Sequence, residues 1–490
     1  MCGILGIFSH KPVAQELYDG LIHLQHRGTD AAGILTYNTR FHIKKGGGYV
    51  RDVFHEGNMP RLLGNMGIAH NRYSTVGDAY SVENAQPMYN NIPFGIGMAH
   101  NGNLTNYREL KEELRTEHIN CNTDSDLEVL MGVFAATLEK ENSRQDLFSS
   151  ICRAVESVFD RTLGGYAVVG LIAGKGMVVW RDPHGIRPLV WGERREKNGT
   201  VDFIFSSENT MYYPLGFTLM GNVEPGEVVF VDREGQMHRR RLRHELFTPC
   251  VFEYVYLARP DSYMNNISIY RARLRMGENL ARKWQRLYHE IKPDILIPVP
   301  FSSNTAALSM AHHLGVRYSE GLYKNQFIGR TFIMPGQEQR QHSVLHKLSP
   351  QEIEIRGKDV MLLDDSIVRG TTSQAVVQLV RNAGARKVYF VTACPPVKFP
   401  DFYGIDIPTR AELIAATKTV EEIRAHMGAD ILMYQDIDDL TEAVTRRGDH
   451  GIDRLSMPCL DGWYVTGDIT EERMREMEAT RTPERDEMKI

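Results

Sequence analysis

A chain of 490 residues has room for two or three domains of ~150 residues each and can bury large cores, so size excludes no chemistry. Its 57 Lys and Arg against 62 Asp and Glu leave a formal charge of -5, which points to neither nucleic acid nor a membrane surface and makes any cationic site a local one. The longest apolar runs, such as Tyr166 to Gly174, stop short of the ~18 residues of a membrane span, and no basic segment leads into a signal-type apolar run, so a cytoplasmic protein is expected.

Residues 2–8 (CGILGIF) read as a buried strand that begins beside a thiol. Val13, Leu17, Leu21 and Leu24 follow at helical spacing until His26-Arg27-Gly28 ends the pattern. As far as about residue 235, short apolar runs (166–172, 177–180, 228–231) alternate with Gly-rich turns around one amphipathic helix carrying Leu127, Leu130, Met131, Phe134 and Leu138. This is the composition of a sheet-rich α+β half. The basic stretch 239–244 marks a candidate junction, although a solvated strand would read the same way, and the boundary falls near 240–260.

Beyond it, helical periodicity at 270–289, 305–314 and 372–383 alternates with apolar strands at 295–298, 360–363 and 388–392, the rhythm of βα units around a parallel sheet. The expected organisation is therefore 2–240 and 250–467, followed by a charged tail over 468–490 that is read as a frayed helix or disordered segment without a role. The six cysteines, at 2, 121, 152, 250, 394 and 459, form no CxxC pair, so neither a zinc ribbon nor a disulfide framework is indicated.

Chemistry concentrates in two places. Residues 360–373, VMLLDDSIVRGTTS, run an apolar strand into Asp364-Asp365-Ser366 and then Arg369-Gly370-Thr371-Thr372-Ser373. An isolated Asp-Asp-Ser is ordinarily a capped turn. Here the loop that follows offers backbone N–H groups and three hydroxyls at a helix start, suited to a phosphate, while the carboxylates can accept from ribose hydroxyls or hold Mg²⁺ through water. The upstream strand-to-loop 297–303, with Ser302, could receive a second, pyrophosphate-like anion, and 324–343, containing Lys324 and Arg330 among Gly, Pro and Gln, would make a mobile cationic flap.

These motifs resemble the type I phosphoribosyltransferases. The resemblance implies phosphoribosyl pyrophosphate as a substrate, one Mg²⁺ per subunit bound with it, Asp364, Asp365, Ser366, Arg369, Gly370, Thr371, Thr372, Ser373, Lys324 and Arg330 as its contacts, and Ser302, Asp364 and Asp365 near the metal.

The second place is Met1-Cys2-Gly3. Once Met1 is removed, a thiol beside a free α-amine is a self-contained nucleophile and base. Cys2 alone could be incidental. Together with Gln25-His26-Arg27-Gly28, Asn71-Arg72-Tyr73-Ser74-Thr75, Ala99-His100-Asn101-Gly102-Asn103-Leu104 and Thr123-Asp124-Ser125-Asp126, it resembles the glutamine amidotransferase domains of the N-terminal-nucleophile (Ntn) hydrolases. That resemblance makes Cys2 the nucleophile, Asn101 and the Gly102 N–H the oxyanion hole, and Arg72, Asp126 and Arg27 the glutamine contacts. It leaves His70 and His100 structural.

In this order the halves resemble the family of enzymes that move the amide nitrogen of glutamine onto phosphoribosyl pyrophosphate at the head of purine synthesis. The expected fold is an Ntn αββα sandwich followed by a phosphoribosyltransferase α/β domain. The resemblance also implies purine nucleotides as feedback inhibitors and a homotetramer. Some members carry an iron–sulfur cluster on four cysteines behind a leader; here Cys2 follows Met1, and Cys250, Cys394 and Cys459 are separated thiols, so no cluster is expected. The rival readings are another glutamine amidotransferase with a different acceptor, and a non-catalytic purine sensor, which would have no use for Cys2, Arg72, Asn101 and Asp126.

Overall fold

The structure, a computed structural model, describes residues 1–73, 82–141, 146–325, 347–407, 409–446 and 450–481. The apolar run after Cys2 forms the strand Gly3–Phe8 at the middle of a seven-stranded sheet, between the strands Met66–Arg72 and Val201–Ser206. All six of its residues are buried, and they divide by parity. Leu5 and Ile7 meet Leu17 and Leu21 of the helix Ala14–His23, whereas Ile4 and Phe8 face inward onto Val169, Met177 and Val179 of a second sheet.

That six-stranded sheet is ordered 237–241, 227–232, 176–181, 164–172, 96–104, 88–90. Its outer face is covered by the helices Asp126–Glu141 and Leu147–Arg161, completing an αββα sandwich. The basic stretch at 239 lies in its edge strand Met237–Arg241, where Arg239 pairs with Glu227 of the neighbouring strand. Charged edge positions of this kind guard a sheet against further pairing.

From Cys250 onward side chains enter a different core. Five parallel strands are ordered 317–318, 295–298, 359–364, 387–392, 431–434. Parity again assigns the faces: Leu296, Met361, Leu363 and Val391 pack with the helices Ile269–Leu287 and Asn304–Leu314, and Ile297, Val360, Leu362 and Phe390 with Thr371–Asn382 and Val420–Met427. Two buried faces account for strands that read as continuous apolar runs.

One expectation is corrected. Residues 471–481 of the tail are helical and docked: Met474 is 3% exposed, Arg410 pairs with Glu471 and Glu478, and Thr105 Oγ1 donates to Asp468 at 2.7 Å. The tail thus spans both halves. Composition hid this, because ion pairs and one buried Met anchor the helix in place of an apolar stripe.

Candidate functional site: two reaction centres joined at the domain junction

The thiol lies where three strands of the sandwich converge. Register places Gly3 opposite Asn71, so Arg72 and Tyr73 come alongside Cys2, whose Sγ is 3.6 Å from the Tyr73 carbonyl. From the other sheet, Asn101 Oδ1 accepts from Cys2 N at 3.3 Å. The Asn101 side chain is fully buried, and its Nδ2 has no hydrogen-bond partner among the described residues. A buried donor aimed at nothing carries a cost, and beside a nucleophile it is the feature required of an oxyanion-hole donor. Gly102 follows at φ 143°, where an added Cβ would fall 2.0 Å from the Gly165 carbonyl; only glycine keeps this backbone open.

Asp126 begins its helix and accepts from Leu104 N at 3.0 Å. Burial alone would raise its carboxyl; the neighbouring His100 and the Leu104 and Leu127 N–H groups outweigh burial and hold it below the ordinary carboxylate range. The His100 tautomer follows from its contacts. Gln86 Oε1 accepts from the His100 backbone and Gln86 Nε2 donates to Nδ1, which puts the ring proton on Nε2, 3.2 Å from Asp126. His100 therefore lies against Asp126. His70 lies fully buried on an inward position, and burial, with His100 and Arg72 nearby, drops its ring far below its usual value and keeps it neutral. Arg72 is buried at the end of its strand.

Arg27 is a correction. Expected to line the glutamine pocket, its guanidinium is instead sealed within the protein: Nε donates to the Cys2 carbonyl at 2.9 Å, Nη1 to Glu208 at 2.6 Å and Nη2 to Glu253 at 2.8 Å. With its fork consumed, it braces the nucleophile's main chain from beneath. Glu208 and Glu253 were not legible as site residues, since their partner lies far off in sequence.

The segment 401–407 was missed as well. Asn103 Nδ2 donates to the Phe402 carbonyl at 2.8 Å and Tyr73 Oη to Asp406 at 3.3 Å. Gly404 lies flat on Gly102, and a Cβ there would come within 3.0 Å of the Gly102 carbonyl carbon. A loop without periodicity, it offered no signal of its own.

At the second centre, Asp364 and Asp365 stand at the carboxyl end of the central strand Asp359–Asp364, each under 10% exposed. Burial, then the charge of Asp365, pushes the Asp364 carboxyl well above the ordinary range. Burial raises Asp365 too, against the pull of Ser302, Ser366 and the Arg273 guanidinium. Ser302 Oγ donates to Asp365 Oδ2 and Ser366 Oγ to Oδ1, so the two loops meet at this pair.

Gly370, left-handed at φ 79°, caps the helix Thr371–Asn382, presenting Thr371, Thr372 and Ser373 in its first turn. Lys324 ends the strand Leu322–Lys324, its Nζ 5.6 Å from the centre of the Phe301 ring and close enough to pull against the Asp364 shift. Arg369 Nε donates to Glu412 at 2.9 Å. Arg330, Ser74, Thr75 and most of the 324–343 segment lie outside the described residues.

Cys250, Cys394 and Cys459, distant in sequence, share one core. Burial pushes the Cys250 thiol up to about 11 and the other two well above their ordinary value.

A cysteine beside a buried amide donor that has no partner among the described residues, built into an αββα sandwich and followed by an acidic pair and a Gly-Thr-Thr-Ser loop on a parallel sheet, defines a glutamine amidotransferase joined to a phosphoribosyltransferase. Comparison with known proteins agrees. Residues 70–212 match the glutamine amidotransferase domain family and 266–401 the phosphoribosyl transferase domain family. The chain is 49% identical to the amidophosphoribosyltransferase of Pseudomonas aeruginosa (98% of this chain, 96% of that one) and 46% identical to that of Escherichia coli K12 (96% and 93%). Among solved structures, the glutamine phosphoribosylpyrophosphate amidotransferase of B. subtilis complexed with ADP and GMP superposes with a TM-score of 0.83 at 35% identity, covering 96% of this chain and 99% of that one. The chain belongs to the amidophosphoribosyltransferase family, and it is an enzyme, a transferase.

Proposed function

We propose that Cys2 releases ammonia from glutamine and that the centre around Asp364 and Asp365 joins it to phosphoribosyl pyrophosphate, giving 5-phosphoribosylamine, glutamate and pyrophosphate at the start of purine synthesis. The observation that carries the residue assignment is the buried Asn101 Nδ2 beside Cys2, without a partner among the described residues.

With Met1 removed, the Cys2 amine takes the thiol proton and Sγ attacks the glutamine amide carbon. The developing oxyanion is met by Asn101 Nδ2 and the Gly102 N–H. The C–N bond breaks, the proton passes to nitrogen, ammonia leaves, and water then hydrolyses the thioester to glutamate. Arg72 suits the substrate's α-carboxylate by its forked geometry, and Asp126, held ionised by its neighbours, suits the α-ammonium. Removal of Met1 is what frees the Cys2 amine for this role.

At the second centre, ammonia attacks C1 of the ribose as the C1–O bond to pyrophosphate breaks. The 371–373 turn holds the 5′-phosphate, and the acidic pair takes the ribose hydroxyls. The donors fit Mg²⁺: they are oxygens only, and no group of three His, Cys, Asp or Glu side chains among the described residues could hold a metal alone, in keeping with an ion that keeps waters and substrate oxygens as ligands. Asp364, Asp365 and Ser302 would hold it, and it would neutralise charge on the departing pyrophosphate. A [4Fe–4S] cluster does not fit, because the second half supplies three cysteines, Cys250, Cys394 and Cys459, where four thiolates are needed; iron analysis of purified protein tests this.

Purine nucleotides as inhibitors, a homotetramer and a cytoplasmic location belong to the same reading. Its support is the ADP and GMP complex of the B. subtilis relative and the absence, among the described residues, of any helix long and apolar enough to cross a membrane. Inhibition of the purified enzyme by AMP or GMP and its mass in solution test the first two.

A further inference from the structure

The segment 250–262 is absorbed by neither catalytic centre, and it falls between the two matched stretches, 70–212 and 266–401. Within it, Glu253–Leu257 forms a π-helical turn, a rare and strained geometry associated with function.

Glu253 is 1% exposed. Its Oε1 accepts from Arg27 Nη2 at 2.8 Å and from Arg187 Nη2, and its Oε2 from Arg27 Nη1 at 3.0 Å. The Arg27 plane is therefore fixed by a bidentate carboxylate on one edge, and its remaining Nε ends on the Cys2 carbonyl. The same turn is gripped from its far side. Arg273, 2% exposed, donates Nε to the Tyr254 carbonyl at 2.9 Å and Nη2 to the Ala258 carbonyl at 2.7 Å.

We propose that Glu253, supplied from beyond the amidotransferase half, is a positioning residue for the Cys2 nucleophile. It acts through Arg27, whose Nε holds the Cys2 carbonyl. Four charged side chains, Arg27, Arg187, Glu208 and Glu253, are withdrawn from water here, and such a network adds little stability over apolar residues of equal volume. It does fix the orientation of a planar guanidinium whose third arm holds the reacting residue. A displacement of order 1 Å at a nucleophile costs ~10²-fold in rate.

The test uses the full-length, Met1-free protein with Glu253→Gln, which keeps shape and one acceptor but removes the charge. Two reactions are followed: glutamine-dependent synthesis, and synthesis driven by added ammonium, which bypasses Cys2. The expected result is a ~10²-fold loss of kcat with glutamine, an unchanged KM for glutamine and retained ammonium-driven activity. Equal loss of both reactions would mean that Glu253 only staples the halves, and an unchanged glutamine reaction would also overturn the proposal. If Glu253→Gln does not fold, Arg27→Lys decides: it retains the charge and loses the fork, and it must show the same split between the two nitrogen sources.

Discussion

Replacing Asn101 by Ala separates catalysis from stability in a way the structure makes quantitative. The side chain does two things: Oδ1 accepts from Cys2 N at 3.3 Å, and Nδ2 has no partner among the described residues. In the free enzyme that donor is a liability of ~1–3 kcal/mol. Its removal offsets the small cavity left by truncation, so Asn101→Ala should unfold within about 1 kcal/mol of the parent. In the transition state the same donor meets a full oxyanion, and losing one of two such donors costs ~2.7–4 kcal/mol, or ~10²–10³ in kcat. The assay is glutamate release at saturating glutamine and Mg²⁺-phosphoribosyl pyrophosphate, with ammonium-driven synthesis as the internal control. A kcat loss below ~5-fold, against the expected ~10² or more, or a parallel loss of the ammonium-driven reaction, would refute the assignment of Nδ2 to the oxyanion.

Three further outcomes follow from the geometry. Asp364→Asn should abolish use of phosphoribosyl pyrophosphate yet raise thermal stability at pH 8; because the folded carboxyl titrates above its unfolded value, it binds the extra proton only in the folded state, so its contribution falls as pH rises, and calorimetry should find the variant's advantage gone in acid. Gly404→Ala places a Cβ against the Gly102 backbone at φ 103°, so glutamine-dependent activity should fall while ammonium-driven synthesis, measured side by side, is largely spared. Truncation before Asp468 removes the Met474 burial and the Arg410 and Thr105 contacts, a loss of ~2–3 kcal/mol by the apolar term alone, and should lower the melting temperature by several degrees.

Much of the fold was legible because parity and periodicity act locally. The run after Cys2, the strands ending at Pro298, Asp364 and Thr392, and the helices beginning near Thr371 and Ile269 each carry their burial pattern in their own residues. The candidate site residues Asn101, Asp126, Asp364 and Asp365 are borne on or beside such elements. The reading went astray where a side chain's role depends on a distant partner. Arg27 is indistinguishable in sequence from a ligand-binding arginine until Glu208 and Glu253 are seen to consume it. The cysteines at 250, 394 and 459 looked separated because only the parallel sheet's winding gathers them. Nothing around Gly404 announces that it rests on the oxyanion strand, since close backbone approach leaves no periodic trace.

The most direct test of the two-centre account is the stoichiometry of release from purified, Met1-free enzyme given glutamine and Mg²⁺-phosphoribosyl pyrophosphate together and singly. The account predicts equal amounts of glutamate and pyrophosphate when both substrates are present and little of either when one is withheld. Glutamate released at the same rate without phosphoribosyl pyrophosphate would contradict it.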